Sequence, residues 1–404
     1  MKSKRIPEDF RVEELTELVA ADGPYALYRL DKRWIGTPEA VATILQCWRI
    51  DRQRVSFGGL KDFHAVTQQY LTIERGPRRD LNQERFDLRY LGQVSQAFQA
   101  GDMAGNRFHI VLRDLNGATV ASCQAALAGL AETGVPNYFD DQRFGSVGSS
   151  GQFVAEAWCR GDYERALWLA VAEANEHDTP ARRDEKSFLR EHWGDWSACQ
   201  SRLEHADTER VIPFLAHRPT DFRSAMARLP IDLRSLYVAA FQSHLWNKLL
   251  DRYLRSVCRP EQLGELSLRL GSVAFPSNVD AEQAAALGAC QLPLPSARLK
   301  PEPGAIQELL DQTLCEAEIE LRQIRIKYPR DTFFSKGYRA ATFVPEELSH
   351  RVEPDELYAG RQKLSLSFRL GRGCYATLLV KCLEASDRTA GHSPAGALDS
   401  WLPP

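Results

Sequence analysis

Strand patterning lies at the two ends of this 404-residue chain, and helical patterning fills its middle. Near the N-terminus, "VTQQYLTI" from Val66 alternates with a period of two, and "FHIVLRDL" from Phe108 reads as a buried strand. Near the C-terminus, "KLSLSFRL" from Lys363 alternates cleanly and leads into a helical "CYATLLVKCLEA". Between them, Trp158 to about Leu229 is rich in charge, Ala and Trp and reads as largely helical. "LRSLYVAAFQSHLWNKLLDRYLRSV" from Leu233 is the longest helical pattern, with Leu236, Ala240, Ser243, Trp246 or Asn247, Leu250 and Leu254 along one face. Strands and helices do not alternate in regular βαβ units, so the pattern predicts an α+β fold and not a doubly wound sheet.

Smaller signals fill in the rest. "GTPEAVATILQCWRI" predicts an amphipathic helix with Thr37 as N-cap, Pro38 at the first helical position, and Val41, Ile44, Leu45 and Trp48 toward a core. "TVASCQAALAGLAETG" predicts a helix closed by Gly134. The segment from Arg259 to about Gly304, dense in Pro, Gly and Leu, reads as short strands and turns. The final stretch, "ASDRTAGHSPAGALDSWLPP", has the composition of a disordered tail.

Composition excludes several classes. The charged N-terminus "MKSKRIPEDFRVEE" has no apolar stretch of a secretory signal, and no run of eighteen apolar residues exists to span a membrane. Nine cysteines, with no C-x-x-C pair, argue against a disulfide framework or a zinc site and for a reducing cytoplasm. The net charge of −3 hides an asymmetry. Leu321 to Lys381 holds twelve Lys and Arg against six Asp and Glu, an excess of +6 that would attract phosphates.

Two loops stand out chemically. In "VSFGGLKDFHAVTQQYLTI", Val55 to Ile73, an acid, Asp62, sits at the mouth of a strand behind Gly59, a residue that lets the backbone bend. If Lys61 and Asp62 lay on the strand, their side chains would point to opposite faces and His64 would share the face of Asp62. In a loop that constraint vanishes. The second loop, "GVPNYFDDQRFGS", packs Asn137, Tyr138 and Phe139 between glycines with Gln142 and Arg143 behind. It reads either as a packed turn with its aromatics in the core or as a stacking platform for an unstacked base. The pattern Gly371-x-Gly373-x-x-Ala376 lies too close to the C-terminus for a dinucleotide-binding unit, and its glycines are read as a tight turn. The phosphate-cradling loop of nucleotide hydrolases does not occur, and no His has another His or Cys at metal-ligand spacing.

Four blocks in order, "DFRVEE", "GGLKDFHAVTQQ", "VPNYFDDQRFG" and "RLGRGCYATLLVK", resemble the TruD family of tRNA pseudouridine synthases, supported by "RSLYVAAFQSHLWN". The resemblance implies a pseudouridine-synthase core of mixed and antiparallel sheet with flanking helices. That core would be discontinuous, 1–157 and 325–385, interrupted by a family-specific insertion, 158–324, and followed by a tail, 386–404. It implies isomerisation of the uridine at position 13 of tRNA, with tRNA as partner. No cofactor, metal or membrane is expected, and a monomer is. A non-catalytic tRNA-binding protein is the rival reading.

By the same resemblance, Asp62 is the catalytic aspartate, Phe139 the ring against the target base, and Asn137 the polar residue that orders the site. Glu14 and Lys61 fall on the family's N-terminal glutamate and on the lysine before the nucleophile. Thr377 lies beside the pocket, with Lys381 as a phosphate or carboxylate partner. Two residues depart from the family pattern. Phe63 replaces a basic residue, and Asp140 replaces a Gly, a difference that matters if the position needs a positive φ.

Overall fold

A nine-stranded mixed sheet forms the frame of the first of two units in the computed structural model, which describes residues 1–203, 205–389 and 391. Its N-terminal strands are β1 (Phe10–Thr16), β2 (Tyr25–Arg33), β3 (Val55–Phe57), β4 (Val66–Glu74), β5 (Leu81–Gln83), β6 (Phe86–Val94) and β7 (Met103–Leu115). Strands Glu346–Pro354 and Gln362–Gly371 join from the far end of the chain. The order is Glu346–Pro354, Gln362–Gly371, β7, β1, β4, β2, β6, β5, with β3 also on β4. Only β1 and β4 run parallel, with Arg11 opposite Val66 and Glu13 opposite Gln68. The predicted α+β class and the alternating strands of both termini are therefore correct.

Burial explains the pairing. Ala26, Tyr28 and Leu30 of β2, Leu71 and Ile73 of β4, and Phe86 and Leu88 of β6 pack under helix α1 (Thr37–Trp48), which contributes Ala40, Val41 and Ile44. Each Leu, Ile, Val or Phe among them contributes about 1.5–3 kcal/mol by leaving water. Helix α2 (Gly117–Thr133) is capped by Asn116, which accepts from Thr119 N, and is closed by Gly134 at φ 76°. The C-terminal helix Ala376–Thr389 packs on α2. The turn before it carries Gly373 at φ 82°, as its reading as a tight turn requires.

Three expectations differ from what is observed. Gly36, not Thr37, is the N-cap of α1, because the Thr37 hydroxyl is engaged elsewhere. The C-terminal helix runs through Thr389, so residues 386–389 of the expected tail are helical, and most of the remainder lies outside the described residues. The units divide at Val135/Pro136 and Thr342/Phe343, so the aromatic loop belongs to the second unit.

That second unit, Pro136–Thr342, is mostly helical and is built on the helix Ile231–Val257. This helix buries Tyr237, Phe241, Leu245, Trp246, Leu249, Leu250 and Leu254. Leu236, expected on the buried face, is 53% exposed. The segment after Arg259 forms the hairpin Leu263–Leu268 with Gly271–Pro276, and also a helix, Ala281–Ala289, that its turn-rich composition concealed.

Candidate functional site

In the first unit, β3 and β4 form a hairpin with Phe57 opposite Leu71, which leaves residues 58–65 as a loop. Lys61 and Asp62 lie in that loop, so strand alternation does not govern them. Gly59 has open space around it and no positive φ, so the bend does not depend on it. Gly58 is the constrained glycine, since a Cβ there would stand 3.0 Å from Phe98 Cε1.

Backbone bonds from three directions hold the loop. The Thr37 hydroxyl donates to Gln69 Oε1 at 2.7 Å and accepts the Lys61 N–H at 3.0 Å. Gln69 Nε2 donates to the Gly59 carbonyl at 3.3 Å. The ammonium of Lys32, a residue buried on β2, donates to the carbonyls of Ile35 (2.7 Å), Asp62 (2.7 Å) and Lys61 (3.3 Å). Burial pushes the Lys32 ammonium down to about 8, partly offset by the Asp62 carboxylate.

The Asp62 carboxylate itself remains reachable, with 31% of its side chain exposed, and Lys4 Nζ lies 3.4 Å from its Oδ2. Lys4 also sits 4.0 Å over the Phe10 ring, a cation–π contact that steers the ammonium. Beneath the loop, Lys61 Nζ lies 3.0 Å from Glu14 Oε2 and donates to Asn106 Oδ1 at 2.6 Å. Glu14 Oε1 accepts the Tyr70 N–H of β4, just past the point where β1 and β4 stop pairing. Glu14 and Lys61 are thus brought together with Asp62. Both side chains are turned into the protein, which makes them supports of the loop.

The aromatic loop lies in the second unit, and its two rings differ in burial. Tyr138 is fully buried, its hydroxyl donating to the Ala274 carbonyl at 2.9 Å, while Phe139 is only partly buried. The Asn247 side chain clamps the Phe139 backbone, accepting its N–H and donating to its carbonyl, both at 2.8 Å. Trp246 meets the Phe139 ring edge-on at 5.5 Å, and the Arg339 guanidinium lies 4.2 Å over it. Arg339 also donates to the Asn137 carbonyl (2.9 Å) and to Asn137 Oδ1 (2.5 Å), while Asn137 Nδ2 donates to the Ala340 carbonyl at 3.0 Å. Asn137 therefore sets the nearer of two guanidinium groups over Phe139, the other being that of Arg143 at 5.3 Å. Asp140 has φ −86°, so the position does not need glycine's freedom.

Thr377 and Lys381 lie one turn apart on the C-terminal helix, both buried. The basic stretch spans both units. It is cut at Thr342/Phe343, and in the first unit Lys363 pairs with Glu356, Arg361 with Asp114 and Arg369 with Glu347. Sequence reasoning missed Lys4, Lys32, Thr37, Asn247 and Arg339. Thr37 was read only as a helix cap and Asn247 only as a position on a helix face, while Arg339 lay inside the basic stretch. Among the described residues, no group of three His, Cys, Asp or Glu could hold a metal ion, and no helix is long and apolar enough to cross a membrane.

Comparison with known proteins shows the family and the fold. The sequence model of the family described as tRNA pseudouridine synthase D (TruD) matches residues 1–383. A probable tRNA pseudouridine synthase D of Methanopyrus kandleri is 30% identical, covering 94% of this chain and 90% of its own length. The tRNA pseudouridine synthase D of Aquifex aeolicus is 28% identical, with 96% and 99% covered. The crystal structure of a putative tRNA pseudouridine synthase D from Methanosarcina mazei shares the fold. It superposes with a TM-score of 0.70 over 95% of this chain and 93% of that one, at 24% identity.

Proposed function

The chain belongs to the TruD family of tRNA pseudouridine synthases and isomerises uridine in tRNA; from that premise we propose that the uridine is the one at position 13 and that Asp62 acts at its anomeric carbon. The observation that carries this reading is the Asp62 carboxylate itself. It is one-third exposed at the tip of a loop whose backbone Lys32 and Thr37 fix, with Lys4 as its ionic partner.

The reaction breaks C1′–N1, turns the freed uracil, and joins C5 to C1′. The C5 hydrogen leaves as a proton and N1 gains one, so atoms balance without an oxidant or reductant. A carboxylate at C1′ serves by bonding to that carbon or by removing a proton from the sugar; both need a fixed acceptor oxygen. Holding the loop at Asp62's own carbonyl restricts where that oxygen can go.

The uridine must leave the RNA stack first, at a cost of a few kcal/mol. Stacking on Phe139 returns about 1–3 kcal/mol. Asn137 sets Arg339 against that ring, and Glu14 and Lys61 support the Asp62 loop from beneath. Thr377 and Lys381 complete the set from the C-terminal helix by resemblance. The enzyme works as a monomer in the cytoplasm.

The test uses tRNA transcripts carrying 5-tritiated uridine, one with uridine and one with cytidine at position 13. Tritium release from the first and none from the second is expected. Equal release from both would overturn the position, and tight binding of both with no release would make the protein a tRNA binder only.

A further inference from the structure

Three aromatic rings cluster beside Asp62 without a role in the reaction as described. Phe63 and His64 follow Asp62 directly, and Trp34 lies at the end of β2. Their rings meet edge to face, with Trp34 5.2 Å from His64 and 6.4 Å from Phe63, and Phe63 4.8 Å from His64. Trp34 is 38% exposed and Phe63 39%.

Trp34 adopts φ 55°, a conformation that bulky residues rarely occupy and that is retained only where its surroundings enforce it. The enforcing contact leads to Asp62. Lys32 Nζ bonds the carbonyl of Ile35, next to Trp34, and also that of Asp62. The aromatic turn and the Asp62 loop are therefore cross-linked through one buried ammonium. Arg85 adds a cation at this edge, with Nη1 3.5 Å from the Trp34 carbonyl.

We propose that Trp34 and Phe63, braced by His64, form a stacking platform for an unpaired base flanking the target uridine. The proposal rests on the reading of Asp62 as the group acting on that uridine. A nucleobase fits the chemistry because any base presents a π-face to an aromatic ring, whatever its sequence. A neighbouring nucleotide fits the position because Phe63 is covalently next to Asp62. A protein partner fits poorly, since two half-exposed rings fall far short of the roughly 800 Å² a side of a standard interface.

The experiment measures affinity for an unmodified tRNA transcript, by filter retention, and KM and kcat by tritium release. Proteins are native, Trp34→Ala, Phe63→Ala and Trp34→Phe. RNAs are the intact transcript and two others, abasic on the 5′ or 3′ side of the target. Each alanine variant is expected to weaken binding about tenfold or more, with the loss in KM exceeding that in kcat, and Trp34→Phe to restore most of it. One abasic transcript should bind native protein as weakly as the intact RNA binds Trp34→Ala, and Trp34→Ala should weaken that transcript no further. Native affinity in both alanine variants overturns the platform, as does an additive loss for both abasic transcripts. Affinity is read without turnover, so this failure is distinct from a failure of the Asp62 reading, which would show as tritium release from Asp62→Asn at the native rate.

Discussion

Lys61 Nζ stands 3.0 Å from Glu14 Oε2 and 2.6 Å from Asn106 Oδ1, so the lysine that precedes Asp62 in the chain is bonded into the sheet beneath the loop. Both charged side chains are almost completely buried, at 8% and 0% exposed. Removing either partner leaves the other as an uncompensated buried charge, which costs about 3–5 kcal/mol. Lys61→Met and Glu14→Gln should each lower stability by that order in urea denaturation. The double variant should lose less than the sum, as neighbours in one network do. Single variants within about 1 kcal/mol of native would show that the pair does not hold the loop.

Lys32 predicts an opposition between stability and turnover. Its ammonium is charged at pH 7 and bonds three carbonyls, and burial lowers its pKa from 10.5 to about 8. In the unfolded chain the proton stays on until pH 10.5, so the folded state gives it up first. Between pH 8 and 10.5 the unfolded state binds more protons, and the contribution of this group to stability rises with pH. The grip on the Asp62 carbonyl weakens across the same range, so turnover should fall as pH passes 8. Tritium release and chemical denaturation measured from pH 7 to 9.5 would show the two trends. Lys32→Met should be slower at pH 7 and lack this alkaline step.

Asn247 holds Phe139 by two backbone bonds, both at 2.8 Å. Asn247→Leu leaves a backbone N–H and C=O without these partners, at a cost of about 1–3 kcal/mol. Asn247→Asp keeps the acceptor and should fall between the two. The expected readout is reduced kcat at saturating tRNA, in step with lowered thermal stability. Native kinetics in Asn247→Leu would show that the placement of the ring does not depend on this clamp.

Short local patterns carried much of this structure. The alternating strands, the Gly134 helix end and the Gly373 turn were legible because each depends on a few neighbouring residues. Asp62, Asn137 and Phe139 stood out as candidates because they sit in contiguous blocks. Lys4, Lys32 and Thr37 were not, because their partners lie 58, 30 and 24 residues away and meet only once β1, β2 and β4 align. The face read for Ile231–Val257 is buried apart from Leu236, but burial extends over a wider arc than that single stripe describes. Gly59 drew attention as a hinge, whereas the steric demand falls on Gly58 against Phe98.

The role of Asp62 is tested most directly by tritium release from tRNA carrying 5-tritiated uridine, with native protein, Asp62→Asn and Asp62→Ala. Asp62→Asn keeps the shape of the side chain and removes its charge. The account predicts release from native protein and none from either variant, with both still retaining tRNA on a filter. Release from Asp62→Asn at the native rate would contradict it.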